Sequence, residues 1–293
     1  KGIRERVELI SRLSKEHSIK LLCKVLKVAR STYYSILNHK ASNREIENNI
    51  LKSKIFKVYC DNRKVYGSIK ITRILRDNGY PKLSVNRVSR LMKQLGIRSI
   101  TIRKFKNYRN KQNEHSELKN LVNQNFSAQK PNQIWLSDIT YIHTIKHGWT
   151  YLASVLDVCT RKIVGYSYGR KMDRSLVISA LTNSWQNQNY PDNVILHSDR
   201  GSQYTSSEYI AAAERMGFRL SYSKKGCPFD NAPMESFHSV LKKEEVYLKH
   251  YSSFYEANIR LFDYINGFYN LNRIHSAINY LSPIHFEKSL LSS

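Results

Sequence analysis

Two acidic residues interrupt segments that otherwise have the composition of β-strands in this 293-residue chain. Asp138 lies within residues 133–142, which are rich in β-branched and aromatic side chains, and Asp199 ends the apolar segment 194–199. If the two strands are neighbours, their carboxylates face each other at the sheet edge where ligands of α/β folds collect. Repulsion would then raise a pKa unless a cation lies between them. Oxygen ligands of this kind suit Mg²⁺ or Mn²⁺ rather than zinc.

Glu235 is the best candidate for a third acidic ligand. Pro233, just before it, marks the first turn of a predicted helix. The apolar stripe of this helix consists of Met234, Phe237, Leu241 and Leu248. An adjacent face carries Glu235, His238, Ser239 and Lys242. On this face, Lys242 is placed to hold a phosphate next to the metals.

The segments around these acids predict a mixed sheet with helices packed on it. Strands are predicted at 133–142, 149–158, 162–168, 194–199 and 219–222, and helices at about 174–188, at 207–216 and beyond residue 230. The first three strands have short links and are expected to form an antiparallel meander. The resulting order predicts an α/β fold with a mixed five-stranded sheet.

Positive charge is concentrated in the N-terminal part of the chain. The first 130 residues carry 31 Lys and Arg against 9 Asp and Glu, whereas the remainder carries 17 against 14. This asymmetry favours polyanion binding over ordinary solubility charge, because Lys and Arg placed against phosphates release condensed counterions. No apolar run reaches the roughly 18 residues of a membrane span. The four cysteines are widely spaced and fit neither a disulfide framework nor a zinc site.

The basic N-terminal part predicts two helix-turn-helix units, at residues 1–40 and 41–100, which would form all-α DNA-binding domains. In the first unit, Ser18 is a predicted helix N-cap. In the second, Ser68 opens one helix and Ser84 caps the next. The polar face of this last helix supplies three candidate DNA contacts, Arg87, Arg90 and Lys93.

A polar segment at 101–130 predicts a basic linker lying along the DNA backbone. Its candidate DNA-binding residues are Arg103, Lys104 and Lys106. Residues 131–293 are then expected to form the catalytic core together with its C-terminal helices.

Three local strings around the acids, and the spacing of the acids, resemble the DDE transposases of bacterial insertion sequences. The strings are Trp135-Leu136-Ser137-Asp138-Ile139-Thr140, His197-Ser198-Asp199-Arg200-Gly201-Ser202-Gln203-Tyr204 and Asp230-Asn231-Ala232-Pro233-Met234-Glu235-Ser236-Phe237. The chain is most similar to the second-frame product of insertion-sequence family three, over almost its whole length. Ser137 stands where threonine is usual, Cys227 and Phe229 replace more common residues, and the His/Cys zinc module of retroviral integrases is absent.

The resemblance implies an RNase H-like, integrase-like catalytic core in which Asp138, Asp199 and Glu235 bind two Mg²⁺ (or Mn²⁺) ions. Lys242 matches the basic residue seven places after the glutamate. Two such ions activate water or a 3′-hydroxyl on one side of a phosphodiester and stabilise the leaving oxygen on the other. The resemblance thus implies nicking at the ends of an element, followed by strand transfer into a second phosphodiester.

Partners follow from the same resemblance. They are double-stranded DNA, as terminal inverted repeats and as target, other copies of the chain in a homo-oligomer on DNA, and an upstream first-frame product fused by frameshifting. The missing initiating Met is compatible with such a fusion. The expected location is the bacterial cytoplasm, at the nucleoid.

Two rival functions and several structural readings stay open at this point. The rivals are a DNA-binding regulator with a silent core, which has no use for three mutually repelling carboxylates, and a site-nonspecific nuclease, which strand transfer would exclude.

Asp157 is expected to pair with Arg161 rather than to join the site. His197 and His238 are either supporting or packed residues. Trp135, Trp149, Trp185 and the aromatic residues of 254–269 are expected to be core.

Overall fold

The computed structural model describes residues 2–102, 118–224 and 228–292. The chain divides into two compact units, residues 1–57 and 58–293, and each is described by itself. Across the described ranges, no helix combines the length and the apolar character that crossing a membrane requires.

The first unit is a small helical bundle. It contains α1 (Ile3–Leu13), α2 (Ile19–Val25), α3 (Arg30–Leu37) and most of α4 (Asn43–Asp61). The Ser18 hydroxyl accepts the Leu21 N–H at 3.4 Å, which confirms this residue as the N-cap of α2. Buried residues of the first three helices form one core: Val7, Ile10, Leu22, Cys23, Val28 and Tyr33. Helix α4 has no counterpart in the sequence prediction.

A helix pair follows at the start of the second unit. It consists of α5 (Ser68–Asp77) and α6 (Val85–Gln94), both in the positions predicted. The Ser84 hydroxyl accepts the Arg87 N–H at 3.2 Å and caps α6. Glycines with positive φ follow both helices, Gly79 at 93° and Gly96 at 67°, because the left-handed region favours a residue without Cβ. The predicted boundaries of both helices are therefore confirmed.

A five-stranded mixed sheet forms the centre of the second unit. Its strands are β1 (Ile134–Thr144), β2 (Gly148–Asp157), β3 (Ile163–Gly169), β4 (Ile195–Ser198) and β5 (Arg219–Tyr222), in the order β3-β2-β1-β4-β5. The first three strands are antiparallel neighbours, and β4 runs parallel to both β1 and β5. The predicted meander and mixed sheet are confirmed, and β1 is the central strand.

Helices α7 (Arg174–Asn187) and α8 (Ser207–Arg215) contribute to the main core with the sheet. Trp135, Val155, Val164 and Leu181 are buried there. Strand β3 approaches α7 so closely that a Cβ at Gly165 would lie 2.5 Å from the backbone nitrogen of Ser184. Glycine is the only residue that fits this crossing.

The three tryptophans differ in their surroundings. Trp135 is fully buried, and Trp185 is partly buried against the same core, as predicted. The prediction that Trp149 is core is wrong, since its side chain is 60% exposed. Trp149 is the second residue of β2 and directly follows the hairpin turn at Gly148. Its ring makes edge contacts with Tyr141 and His143.

The C-terminal part is helical and begins with a 3₁₀ turn at Pro228–Asn231. Then come α9 (Ala232–Glu244), a second 3₁₀ turn (Val246–Leu248), α10 (Phe254–Phe262), a π-helical segment (Asp263–Asn270) and α11 (Pro283–Leu291). In the aromatic run, Tyr264, Phe268 and Tyr269 are buried, whereas Tyr255 and Phe262 are exposed, so packing explains only part of it.

The predicted apolar stripe of α9 is correct except at its end. Met234, Phe237 and Leu241 are buried. Leu248 is not on α9, because the helix stops at Glu244 and Leu248 belongs to the following 3₁₀ turn. The backbone leaves the helical region at Glu245, whose buried carboxylate pairs with Lys249 at 2.9 Å.

Within the second unit, residues 63–102 dock against the C-terminal part of the chain. Arg63 forms an ion pair with Asp263 at 2.6 Å. The Ile274 N–H donates to the Tyr66 hydroxyl at 2.9 Å. These contacts connect the α5–α6 pair to the helices that follow the sheet.

Candidate functional site

Asp138 and Asp199 lie side by side because β1 and β4 are parallel neighbours. The register pairs Ser137 of β1 with Ser198 of β4. Asp138 and Asp199 directly follow these two serines. The pKa of Asp199 is raised, first by desolvation and then by repulsion from Asp138, against the opposing effect of the Gly201 N–H. The condition under which the two carboxylates would face each other, that their strands are neighbours, is met, and it concentrates negative charge at this point of the sheet.

Gly201 shapes the loop that holds Asp199. Its N–H donates to Asp199 Oδ1 at 3.0 Å. A Cβ at position 201 would lie 3.0 Å from the same oxygen and 3.1 Å from Gln203 Oε1, so a larger residue would have to displace one of them. The glycine in the string after β4 therefore permits the close turn that orients this carboxylate.

Glu235 lies on helix α9, which contacts β1 through another of its residues. Glu235 lies in the first turn of α9, on an exposed part of the helix. One turn later, the buried His238 places Nδ1 3.4 Å from Asp138 Oδ2. Within the described ranges, His238 Nε2 is buried and has no hydrogen-bond partner. The contact with Asp138 shows that the His238 face of α9 is turned towards β1.

The acids are not arranged as a ready-made metal cluster. Among the residues that the structure describes, no three His, Cys, Asp or Glu side chains form a group that could hold a metal ion. The structure brings Asp138 and Asp199 together and places Glu235 on the helix that contacts Asp138 through His238. The acceptor-only carboxylates of the two aspartates fit a hard divalent cation, which would relieve their repulsion.

Hydrogen bonds link the three chain segments that carry the acids. Asn231, just before α9, donates from Nδ2 to the Ser137 carbonyl of β1 at 3.4 Å. The Ser137 hydroxyl donates to the hydroxyl of Tyr204 at 3.1 Å, and the Tyr204 carbonyl accepts from the Tyr222 hydroxyl at 3.2 Å. Tyr204 is fully buried behind the acids. The string after β4 thus supplies an anchor as well as an acid.

Asp230 is a buried anchor that the sequence reasoning did not identify. Its carboxylate accepts hydrogen bonds from Asn120 Nδ2 at 2.9 Å, Gln124 Nε2 at 2.8 Å and the Lys224 N–H at 2.7 Å. Residues 118–124, which fall in the predicted linker, also hydrogen-bond to β5. The only signal in the sequence was the position of Asp230 directly ahead of α9.

His197 and Asp157 are structural residues. His197 is buried between the Ser221 and Ser223 hydroxyls, at 2.8 and 3.0 Å, and burial lowers its pKa to about 4. The buried Asp157 carboxylate accepts hydrogen bonds from the Asn132 N–H and from the N–H and hydroxyl of Thr160. His197 is therefore a packed residue, whereas His238 contacts one of the acids.

The basic residues predicted to bind DNA lie in three places. Lys242 is half-buried in the last turn of α9, two turns after Glu235. On α6, Arg87 is half-buried and Arg90 and Lys93 are exposed. The predicted contacts Arg103, Lys104 and Lys106 lie outside the described residues.

Three family models match successive parts of the chain. An HTH-like domain matches residues 45–105, and two models described as an integrase core domain match residues 128–228 and 235–291. The first integrase-core match includes Asp138 and Asp199, and the second begins at Glu235.

Curated relatives match nearly their full length. The transposase for insertion sequence element IS904 of Lactococcus lactis is 39% identical over 86% of this chain and 99% of that protein. Transposase InsF for insertion sequence IS3A of Escherichia coli is 37% identical over 94% of this chain and 96% of that protein. Among solved structures, a chain of the simian T-cell lymphotropic virus intasome, in complex with PP2A regulatory subunit B56 gamma, aligns with 80% of this chain and 74% of its own length, at 14% identity and a TM-score of 0.46.

Proposed function

The chain belongs to the IS3-family transposases of bacterial insertion sequences, and from this membership we propose that it cleaves and joins DNA in a metal-dependent reaction with Asp138, Asp199 and Glu235 as the metal ligands. The pairing of β1 with β4 carries the proposal, because it places Asp138, inside β1, beside Asp199, which directly follows the end of β4.

The donor set supports Mg²⁺ or Mn²⁺ as the bound ion. Carboxylate oxygens are the ligands that these hard cations prefer, and the unfavourable proximity of Asp138 and Asp199 provides the driving force for binding. Bound by these carboxylates, such ions would supply activation of a water or 3′-hydroxyl and stabilisation of the leaving oxygen of a phosphodiester. Glu235 supplies the third carboxylate from α9.

The surrounding residues orient these ligands. The Gly201 N–H fixes one oxygen of Asp199, and the Ile139 N–H donates to Asp138 Oδ1 at 2.8 Å. His238 contacts the other oxygen of Asp138. Such outer contacts set the direction in which a carboxylate presents its free lone pairs.

Basic side chains would hold the DNA. Lys242 lies on the same helix as Glu235 and attracts the phosphate that reacts. On α6, Arg87, Arg90 and Lys93 contact the terminal repeats, and the basic residues Arg103, Lys104 and Lys106 contact the backbone. Two element ends and a target must be held at once, so the active form is a homo-oligomer on DNA, with a frameshifted first-frame product as a further partner.

One substitution tests the ligand assignment. Wild type and Asp199→Asn are compared on supercoiled DNA carrying candidate element ends, with Mg²⁺, with Mn²⁺ and with chelator, and nicks and joined strands are resolved on denaturing gels. Asparagine retains an oxygen for the Gly201 N–H but removes the charge. We expect a loss of about 10³-fold or more in nicking and joining, with DNA binding unchanged.

The matched control is Asp192→Asn, which removes an exposed carboxylate from the loop before β4. It is expected to keep full activity. Equal activity of Asp199→Asn and wild type would exclude Asp199 as a ligand. Hydrolysis without joined strands would favour a nuclease. The assay is repeated with the chain fused to its first-frame partner, and DNA binding by this fusion without metal-dependent cleavage would favour a regulator.

A further inference from the structure

A cavity of about 440 Å³ lies away from the paired aspartates, within the second unit. It is lined by α5, by the end of β2 and the loop that follows it, by α9, by the end of the π-helical segment and by residues 273–277. The polar side chains among its lining residues are Lys70, Arg161, Ser236, Tyr269, Arg273, His275 and Ser276. No carboxylate is among the residues that line this cavity in the described part of the chain.

Lys70 is the unusual member of this lining. Its Nζ is buried, has no hydrogen-bond partner among the described residues, and lies 4.5 Å from the centroid of the Tyr66 ring. A buried ammonium without a partner is costly, since its three donors all lose their water. Burial accordingly lowers the pKa of Lys70 to about 7, helped by repulsion from Arg273 and opposed by Glu244. The ring contact offsets only part of that cost.

The other cations differ in how far they are neutralised. Arg273 is held by two hydrogen bonds of 2.8 Å to the two carboxylate oxygens of Glu244. Arg161 interacts electrostatically with the buried Asp157. His275 lies among Arg273, Lys70 and Arg161, and burial and then these three charges lower its pKa to about 2. Lys70 differs from these residues because, among the described residues, its Nζ has no hydrogen-bond partner, and Glu244 acts on it only through its charge.

We propose that this cavity binds a phosphate group, with Lys70 and Arg161 as its charged contacts and the Ser236 hydroxyl as a further donor. Ammonium and guanidinium groups are the side chains that best match phosphate oxygens. The start of α9 adds the partial positive charge of a 13-residue helix, with Ala232 and Pro233 in the lining. A phosphate would supply an acceptor to Lys70 Nζ once the side chain turns from the Tyr66 ring into the cavity, because the atom is buried in the present conformation.

The phosphate has two sources with the same chemistry, a backbone phosphate of DNA and free inorganic phosphate. In either case the bound group connects α5, in the HTH-like region, with the helix that carries Glu235. The inference does not rest on the assignment of the metal ligands, because none of Asp138, Asp199 and Glu235 lines the cavity.

The test uses the full chain and two probes, inorganic phosphate and a short DNA duplex of random sequence. Phosphate binding is measured by calorimetry at constant ionic strength for wild type, Lys70→Met and Arg161→Met. The control is Lys288→Met, which removes an exposed charge from α11. Methionine keeps the length and apolar stem of lysine, and circular dichroism and thermal melting verify that each variant is folded. We expect saturable binding in wild type and control, and at least about 10-fold weaker binding in the two cavity variants.

Duplex titrations distinguish the two sources. If DNA supplies the phosphate, inorganic phosphate competes with the duplex, and Lys70→Met lowers the slope of log affinity against log salt by about one. If the ligand is free phosphate, its binding persists in the DNA complex and the duplex affinity of Lys70→Met equals that of wild type. The proposal is overturned if folded Lys70→Met matches wild type with both probes.

Discussion

Nδ1 of His238 lies 3.4 Å from Oδ2 of Asp138, which links helix α9 directly to the central strand of the sheet. Glu235 is one turn earlier on the same helix. The position of the third acid relative to the first therefore depends on this contact and on the hydrogen bond from Asn231 to the Ser137 carbonyl. The contact makes His238 a positioning residue for the proposed site.

Removing the His238 side chain is expected to weaken the reaction without abolishing it. In His238→Ala, Asp138 loses a neighbour that orients one carboxylate oxygen, and such losses typically cost about 10- to 100-fold in activity or metal affinity. Nicking of element-end DNA is measured over a series of Mg²⁺ concentrations, and half-maximal activity should need more metal. His238→Asn should restore part of the activity, and Ser239→Ala on the same helix should resemble wild type. An unchanged metal requirement in His238→Ala would contradict this role.

Arg90 is expected to contribute to DNA affinity through its exposed position on α6. Buried Val88 and Leu91 hold the helix, so Arg90→Ala should leave the fold intact. If Arg90 contacts a base, Arg90→Ala should weaken duplex binding by about 1–3 kcal/mol. If Arg90 contacts a phosphate, the slope of log affinity against log salt should be smaller by about one. Fluorescence anisotropy at several salt concentrations measures both. The control is Arg215→Ala on α8, which also removes one arginine charge. An equal loss of duplex affinity in this control would mean that only the net charge of the protein matters, not the position of Arg90.

Breaking the buried ion pair of Glu244 and Arg273 is expected to destabilise the second unit strongly, because one charge is left buried without its partner. Both side chains are less than a tenth exposed, and the Tyr264 hydroxyl also donates to Glu244 at 2.8 Å. Glu244→Gln leaves the buried Arg273 guanidinium without its counter-charge. The free energy of unfolding measured in urea should fall by about 3 kcal/mol or more. Asp77→Asn breaks the exposed Arg73–Asp77 pair and should cost less than about 1 kcal/mol. Equal losses in the two variants would refute the distinction.

Acid should destabilise the second unit through His197. Burial lowers its folded pKa to about 4, so at pH values between about 4 and 6.5 the unfolded chain binds a proton that the folded chain does not. The contribution of this histidine is complete above about pH 6.5 and falls by about 1.4 kcal/mol per pH unit as the pH drops through this window. His197→Asn should therefore show a flatter dependence of unfolding free energy on pH. The exposed His250→Asn should keep the wild-type slope, and an unaltered slope in His197→Asn would contradict the assignment.

The sequence predicted the sheet well because residue type and side-chain pattern agree in its strands. The β-branched and aromatic residues around Asp138 mark β1, and short links identify the meander. The side-by-side placement of Asp138 and Asp199 followed from one topological assumption, that the first and fourth strands are neighbours. The helix caps at Ser18 and Ser84 were predicted because capping is a local interaction.

The remaining features depend on tertiary contacts that have no local signature. Helix α4 was missed because its apolar residues lie around the helix: Leu51 and Ile55 are buried, whereas Ile46 and Phe56 are exposed. The end of α9 was misplaced because Glu245 leaves the helix where its carboxylate is buried. Hydrogen bonds of Asp230 with residues more than 100 positions away are equally invisible in the sequence.

Docking of residues 63–102 against the C-terminal helices also constrains how the protein is made. Arg63 bonds to Asp263 across 200 residues, and the Ile274 N–H reaches Tyr66 across 208. During synthesis the α5–α6 pair leaves the ribosome early and buries its own apolar residues. The surface around Tyr66 gains its partners in the C-terminal helices only after nearly the whole chain is translated. A ribosome that stops before residue 263 therefore releases a helix pair without its support.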